Sequence, residues 1–247
     1  MTWTKYLVTT AFLVLGVGAY VPDAEAITAI SACTAITTSG SYILTRNLVA
    51  AGNCLVVTAD FVTTDLAGHT ISGNGTGGGI TTGSDVGITV RGGFVTNFFN
   101  GIDLISARDA IVERVPSIAN TNVGIGVSEA AIIKDCVAAN NGNTGISVGS
   151  RSLVTTKVSR QNMNGIVTAL GSTVSGNVVG LNSNNGISAG IGSTVLNNTS
   201  RNNGNFGISA GCPSLVLGNT TTANGTNFSP DPAFPVGCVV DHNVIGP

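Results

Sequence analysis

Apolar positions in this chain recur in three short phases rather than one long one. The dipeptide Gly-Ile appears at Gly101-Ile102, Gly124-Ile125, Gly145-Ile146, Gly165-Ile166, Gly186-Ile187 and Gly207-Ile208, at spacings of 23, 21, 20, 21 and 21 residues. A second apolar position follows a 21-residue step through Ile132, Leu153, Val174, Val195 and Val216, and a third runs through Val137, Val158 and Val179. Each run is too brief, and too interrupted by glycine, to complete a helix. Three such stations in each repeat predict three short strands per turn of a solenoid, with successive coils paired in parallel and like residues stacked over like.

Asparagine carries the same period. Asn140, Gln161, Asn182, Asn203 and Asn224 stand 21 apart, as do Asn177, Asn198 and Asn219, which predicts ladders of side-chain amides about 4.8 Å apart. Asn also accepts the left-handed backbone of a tight corner, so these ladders are read as scaffold. Leucine-rich repeats have a similar period but require several leucines and a helical stretch per repeat. Here leucine is scarce in the repeats, and Glu, Lys and Ala never cluster. The expected architecture is all-β: a single-stranded right-handed parallel β-helix of nine to ten coils, about 45 Å long.

Ahead of the repeats, residues 7–21 form an apolar run behind Lys5, and Ala24-Glu25-Ala26 supplies the small-x-small pattern read by signal peptidase. Residues 1–26 are therefore expected to be a cleavable signal peptide and residues 27–247 the β-helix domain. The apolar run falls short of the ~20 residues of a membrane-spanning helix. The mature protein is expected off the membrane: secreted, periplasmic or at the cell surface. Exposed terminal strands invite edge-to-edge pairing, so residues 27–57 and 220–247, the latter with Pro230, Pro232 and Pro235, are read as caps.

Charge narrows the partners. Residues 27–247 hold 9 of the 10 Lys and Arg and 10 of the 12 Asp and Glu, a net charge of −1, which gives no field for nucleic acid. Only 9% of the chain is charged, against ~25% in ordinary globular domains. An apolar content of 43% nevertheless argues against disorder. The charges are unevenly placed. Residues 27–135 carry eight acids against Arg46, Arg91, Arg108, Arg114 and Lys134, whereas residues 136–230 carry Arg151, Lys157, Arg160 and Arg201 and no acid. Because a solenoid orders coils in space as in sequence, this predicts an acidic end and a basic end. Arg151, Lys157, Arg160 and Arg201 are the candidate ligand-binding residues, for a uronate-containing or phosphorylated polysaccharide.

The five cysteines divide into two pairs and a remainder. Cys33 and Cys54 stand one coil apart, which places their Cα atoms near 5 Å, within disulfide reach. Cys212 and Cys238 flank the last coil, where a bridge would tether the carboxy-terminal cap. Cys136 is either a free thiol in the wall or an intermolecular link. Two bridges suit an oxidising, exported setting.

The opening coils read Asp65-Leu66-Ala67-Gly68-His69-Thr70-Ile71-Ser72-Gly73, then Gly79-Ile80, then Ile88-Thr89-Val90-Arg91-Gly92-Gly93. The closing ones read Gly207-Ile208-Ser209-Ala210-Gly211-Cys212-Pro213-Ser214, with a second cysteine near the end. Across nearly all of residues 27–247 this resembles the right-handed parallel β-helix repeat proteins of the pectate-lyase-like superfamily, in particular its secreted bacterial members. The resemblance implies the fold and leaves the activity open, since such proteins include lyases, hydrolases, epimerases and binding proteins.

What the resemblance implies chemically can be checked against the residues. Lyases of this fold hold Ca²⁺ with acidic residues against a uronate carboxylate while a Lys or Arg takes the α proton; the hydrolases use paired carboxylates. One coil carries such a mixture: Asp103, Arg108, Asp109, Glu113 and Arg114. These are the candidate catalytic residues, with Asp103, Asp109 and Glu113 near a cation and Arg108 or Arg114 as base. The paired-Asp and Gly-His-Gly pattern of the hydrolases is absent, as is the Asp-Pro-His-Asp of uronan epimerases. Arg114-Val115-Pro116 keeps only part of the Arg-x-Pro-x-x-Arg of pectate lyases. His69 is one of two histidines, the other being His242, and reads as a turn residue; no zinc set, phosphate loop or nucleophile elbow is present.

Three functions from different classes follow. The preferred one is a noncatalytic exported scaffold that binds an extracellular or cell-surface polysaccharide, with no cofactor. The second is a polysaccharide lyase or related enzyme, which alone would call for Ca²⁺. The third is an ice-binding or adhesion solenoid, for which Ser147, Ser188 and Ser209 supply a row that Gly126 and Val167 interrupt.

Overall fold

The computed structural model describes residues 26–229 and 237–246. Of the expected signal peptide only Ala26 falls within this range, and Pro230, Pro232 and Pro235 lie outside it. The described residues form 31 short strands and no helix. All strand pairs are parallel, and each strand pairs with the strand one coil before and one coil after it. Three sheets result. We call sheet 1 the eleven-stranded sheet from Ile27–Ile30 to Val239–Asp241, sheet 2 the ten-stranded sheet from Leu48–Val49 to Val244–Ile245, and sheet 3 the ten-stranded sheet from Thr34–Ile36 to Thr226–Ser229. The chain visits them in the order 1, 2, 3 and returns, about ten times, as the right-handed parallel β-helix expected from the repeat.

Strand residues alternate between the interior and the outside, as the two-residue period of a strand requires. In sheet 3 the isoleucines of the Gly-Ile dipeptides stack as Ile80, Ile102, Ile125, Ile146, Ile166, Ile187 and Ile208, all fully buried. Each buried aliphatic side chain contributes roughly 1.5–3 kcal/mol of transfer free energy. The glycine of the dipeptide has a packing reason. A Cβ on Gly186 would lie 2.3 Å from the Ser200 hydroxyl and 2.6 Å from the Asn203 amide nitrogen, both inside the solenoid.

Between Ile132 and Val216 the strict 21-residue step fails once, and the failure moves side chains from one face to the other. Ile146 pairs with Ile166, Leu153 with Thr173 and Val158 with Val178, so one coil has 20 residues. A one-residue slip in a strand inverts inside and outside. The inner column of sheet 1 is therefore Ile133, Val154, Val174, Val195 and Val216, while Ile132 and Leu153 point outward. Likewise Val137 and Val158 face outward and Val179 inward.

The same coil corrects one asparagine ladder. Asn140 and Gln161 are the corner residues, each with φ near 57°. Their successors in sequence turn inward and carry the ladder: Asn120, Asn141, Asn162, Asn182, Asn203 and Asn224, each Nδ2 donating to the next Oδ1 at 2.8–3.2 Å. The other predicted ladder stands. Asn177 donates to Asn198, Asn198 to Asn219 and Asn219 to Asn243, at 2.7, 3.0 and 2.9 Å. Buried amides stacked this way satisfy one another, so polar corners cost the core little.

Both expected bridges form: Cys33–Cys54 with Cα atoms 4.5 Å apart, and Cys212–Cys238 with Cα atoms 5.0 Å apart. Residues 27–57, 220–229 and 237–246 continue the three sheets to their ends. Cys136 is fully buried in the wall, its thiol donating to the carbonyl oxygens of Lys134 and Val112 at 3.3 and 3.5 Å. Burial pushes this thiol up to about 11, with Asp135 adding to the shift and backbone hydrogen bonds opposing it. It stays protonated at neutral pH, and of its two readings the wall thiol is the one its position fits.

Candidate functional site

The outward columns carry the chemistry. On sheet 1, Asp65, Arg91, Glu113 and Lys134 occupy one column on four successive coils, so acid and base alternate. Arg91 pairs with Asp65 at 2.9 Å and Lys134 with Glu113 at 3.3 Å, and Arg114, at the corner beside Glu113, pairs with it at 2.5 Å. Partial burial raises the Glu113 carboxyl, but hydrogen bonds and Coulomb attraction from Lys134 and Arg114 outweigh it and hold it below the usual carboxylate range. Where sheet 3 turns back into sheet 1, Glu129 forms an ion pair with Arg108 at 3.4 Å and accepts a hydrogen bond from Arg151.

This geometry distributes the candidate catalytic set. Asp103 points outward from sheet 3, Arg108 and Asp109 lie in the turn that follows, Glu113 ends a strand of sheet 1, and Arg114 is the corner after it. Glu113 and Arg114 are brought together; Asp103 stands on another sheet. Among the described residues, no three His, Cys, Asp or Glu side chains gather as metal ligands do. His69 belongs to the turn headed by Asp65: its N–H donates to the Leu66 carbonyl at 2.7 Å, and the Asp65 carboxylate accepts from the Ala67 N–H at 2.8 Å. His242 is exposed beside Asp241 at the last coil.

The basic set divides differently. Arg151 is neutralised by Glu129, and Lys157 is exposed at the corner before the Val158 strand. Arg160, Gly180 and Arg201 stand in register as one outward column of sheet 2. The two arginines are thus two coil rises apart, about 9.5 Å. Between them lies a groove of about 230 Å³ floored by Val158, Val178, Gly180 and Leu181. Val178 and Leu181, 41% and 55% exposed, give that floor an apolar surface open to water. Gly180 cannot carry a side chain, because its Cβ would sit 2.7 Å from the Arg201 carbonyl oxygen. The neighbouring outward column leads into the groove as Pro116, Val137, Val158 and Val178. The Arg160 guanidinium donates to the Gln161 side chain, and no carboxylate stands within ion-pair distance of Arg160 or Arg201 among the described residues.

Sequence reasoning named the two arginines but not the residues between them. Val158 belongs to the third apolar station of the repeat, and Gly180 and Leu181 lie just past it. The row Arg160, Gly180, Arg201 is legible only once the 20-residue coil is allowed for.

No family model and no curated protein matches the chain. Among solved structures, the chain is similar to the A-module of the Azotobacter vinelandii mannuronan C-5 epimerase AlgE6. The identity is 15% over 90% of this chain and 81% of that one, with a TM-score of 0.64. It is also similar to the Dettilon tailspike protein, at 14% identity over 89% of this chain and 60% of that one, with a TM-score of 0.52. At these identities the likeness establishes a shared parallel β-helix fold.

Proposed function

We propose that this protein is an exported, noncatalytic glycan-binding solenoid that takes an acidic polysaccharide across the groove between Arg160 and Arg201. The observation that carries the reading is the pairing, around an apolar floor, of two guanidinium groups without carboxylate partners among the described residues. Guanidinium forks match carboxylate and phosphate oxygens in pairs. The exposed Val178 and Leu181 offer an apolar rest for the C–H face of a sugar ring, and the arginine separation is of the same order as that of alternate residues in an extended sugar chain. Two disulfides suit an oxidising compartment outside the cytoplasm. A polysaccharide ligand is also in keeping with the epimerase whose A-module shares the fold.

The lyase alternative needs Asp103, Asp109 and Glu113 around one cation. Glu113 is instead engaged by Lys134 and Arg114, on a different sheet from Asp103. The serine row of the adhesion alternative is broken by Gly126 and Val167, which occupy the same outward column as Ser147, Ser188 and Ser209.

Chromatography on immobilised acidic and neutral glycans tests the proposal. Retention on a polyuronate matrix should exceed that on a neutral one, fall as salt rises, and disappear in Arg160→Ala/Arg201→Ala. Arg151→Ala should change little, because Glu129 already engages that cation. Equal retention on both matrices, or retention unchanged in the double variant, overturns the proposal. Release of unsaturated products from an acidic polysaccharide would overturn its noncatalytic part.

A further inference from the structure

The outward face of sheet 3 holds a smaller pocket, of about 130 Å³, lined by Asn100, Asp103, Ile105, Asn122, Gly126 and Ser147 among others. Asp103, Gly126 and Ser147 are successive rungs of one column. The Asp103 carboxylate is held in place: its Oδ2 accepts from Asn100 Nδ2 at 2.7 Å. Asn100 is held in turn, its Oδ1 accepting from Asn122 Nδ2 at 2.9 Å. The other carboxylate oxygen, Asp103 Oδ1, is shut away from bulk water and accepts no hydrogen bond. A buried acceptor left open is rare, because its lost hydration is uncompensated, and it calls for a missing donor.

Gly126 makes the space. Unlike the glycines of the Gly-Ile dipeptides, it is not required by packing. A Cβ there would meet the Ile105 Cγ2 at 3.0 Å, the Val123 Cγ1 at 3.6 Å and the Ile102 carbonyl oxygen at 3.8 Å. Its φ lies outside the left-handed region, and the same column accommodates Val167 two coils on. The missing side chain leaves a gap between the Asp103 carboxylate and Ser147, with Ile105, 63% exposed, forming an apolar lip.

We propose that this pocket is a second carbohydrate subsite that takes a pair of adjacent hydroxyls on an uncharged sugar. One hydroxyl donates to the Asp103 carboxylate, whose Oδ1 a small turn of the side chain brings to the pocket. The other exchanges hydrogen bonds with the Ser147 hydroxyl and the second N–H of the Asn100 or Asn122 amide, and the ring C–H face rests on Ile105 and Val123. A hydroxyl fits because it both donates and accepts, and the pocket offers both kinds of partner. A metal ion fits less well, since one carboxylate stands alone there. The subsite lies on a different sheet from the arginine groove and does not depend on it.

The test is a nuclear magnetic resonance titration of the chain with neutral methyl hexosides, with calcium chloride as a separate arm. At least one glycoside should produce saturable shifts centred on the Asn100 and Asn122 side-chain amides and the Gly126 amide. Gly126→Val, which copies the residue already present at Val167, should abolish those shifts, and the isosteric Asp103→Asn should weaken binding about tenfold by removing the charged acceptor. If Gly126→Val fails to fold, Ser147→Ala takes its place, with weakened binding expected. Arg160→Ala/Arg201→Ala should leave the titration unchanged, so failure here and failure of the acidic-glycan reading are separate results. No saturable shift with any glycoside, the same shifts with calcium alone, or shifts indifferent to both Gly126→Val and Asp103→Asn would each overturn the subsite.

Discussion

The coils before and after Cys136 share one interior and differ on the outside. Upstream, Arg91 and Lys134 each lie against a carboxylate in the next rung of the same column, and Arg108 shares Glu129 with Arg151. Downstream, Arg160 and Arg201 flank an open groove and have no such partner among the described residues. The backbone register that stacks opposite charges in one half would stack them equally well in the other. The difference lies in which side chains occupy the rungs, and it separates charges used to neutralise one another from charges left for a ligand.

The strongest way to break this comparison is to attack the interior it takes as common. Val112 and Val195 are both fully buried in the inner column of sheet 1. Val112→Asp and Val195→Asp should each cost several kcal/mol by burying an unpaired carboxylate. Thermal unfolding should show a large and similar loss in both; a benign Val195→Asp would mean that the two halves are not built alike.

Removing the Cys33–Cys54 bridge by a double Ser replacement should cost about 3 kcal/mol, from the loop it closes in the unfolded chain. Non-reducing peptide mapping should recover both bridges from protein made in an oxidising compartment. Free Cys33 and Cys54 in that material would undo the register of the first coils.

A smaller effect tests the charge column. Glu113→Gln should cost under about 1 kcal/mol at neutral pH, since its partners are half exposed and screened. The sign with pH follows from the lowered carboxyl. Its contribution is present above the ordinary value of 4.5 and is lost as pH falls through the lower folded-state value. Wild type and Glu113→Gln should therefore converge in stability under acid. A gap between them that widened on acidification would contradict the ion-pair assignment.

The smallest expected effect on stability sharpens the contrast most. Arg160→Ala/Arg201→Ala should leave unfolding within about 0.5 kcal/mol of wild type, while acidic-glycan retention is lost. A loss of several kcal/mol would show that these arginines also serve the scaffold.

Much of the fold could be read from sequence because stacking repeats one decision many times. The Gly-Ile spacings, the Asn177–Asn198–Asn219 step and the Cys33–Cys54 interval each report the same coil length independently. The errors share one source: a single 20-residue coil, visible as the step from Gly145 to Gly165, was not carried into the other stations. That step moved Ile132 and Val158 to the outside and gave the ladder to Asn141 and Asn162 in place of Asn140 and Gln161. The candidate sites were less legible because they depend on which outward rungs coincide. Arg160 and Arg201 are 41 residues apart and share a column, whereas Asp103 and Glu113, only ten apart, stand on different sheets.

The asparagine ladders also act as a ruler with a stop. In the two buried ladders, from Asn120 to Asn224 and from Asn177 to Asn243, every rung donates in one direction, from the earlier coil to the later, so their amide dipoles add head to tail along the axis. Such an array is a template: its last donors would recruit a further coil from any chain that supplied an acceptor. Here the first ladder ends by turning its donor inward. Asn224 Nδ2 donates to Asn227 Oδ1 at 2.9 Å, a partner three residues on in its own coil rather than in a further one. Along that ladder the polarity that makes each coil order the next is quenched within the molecule, which gives this one-dimensional lattice a stop at Asn224.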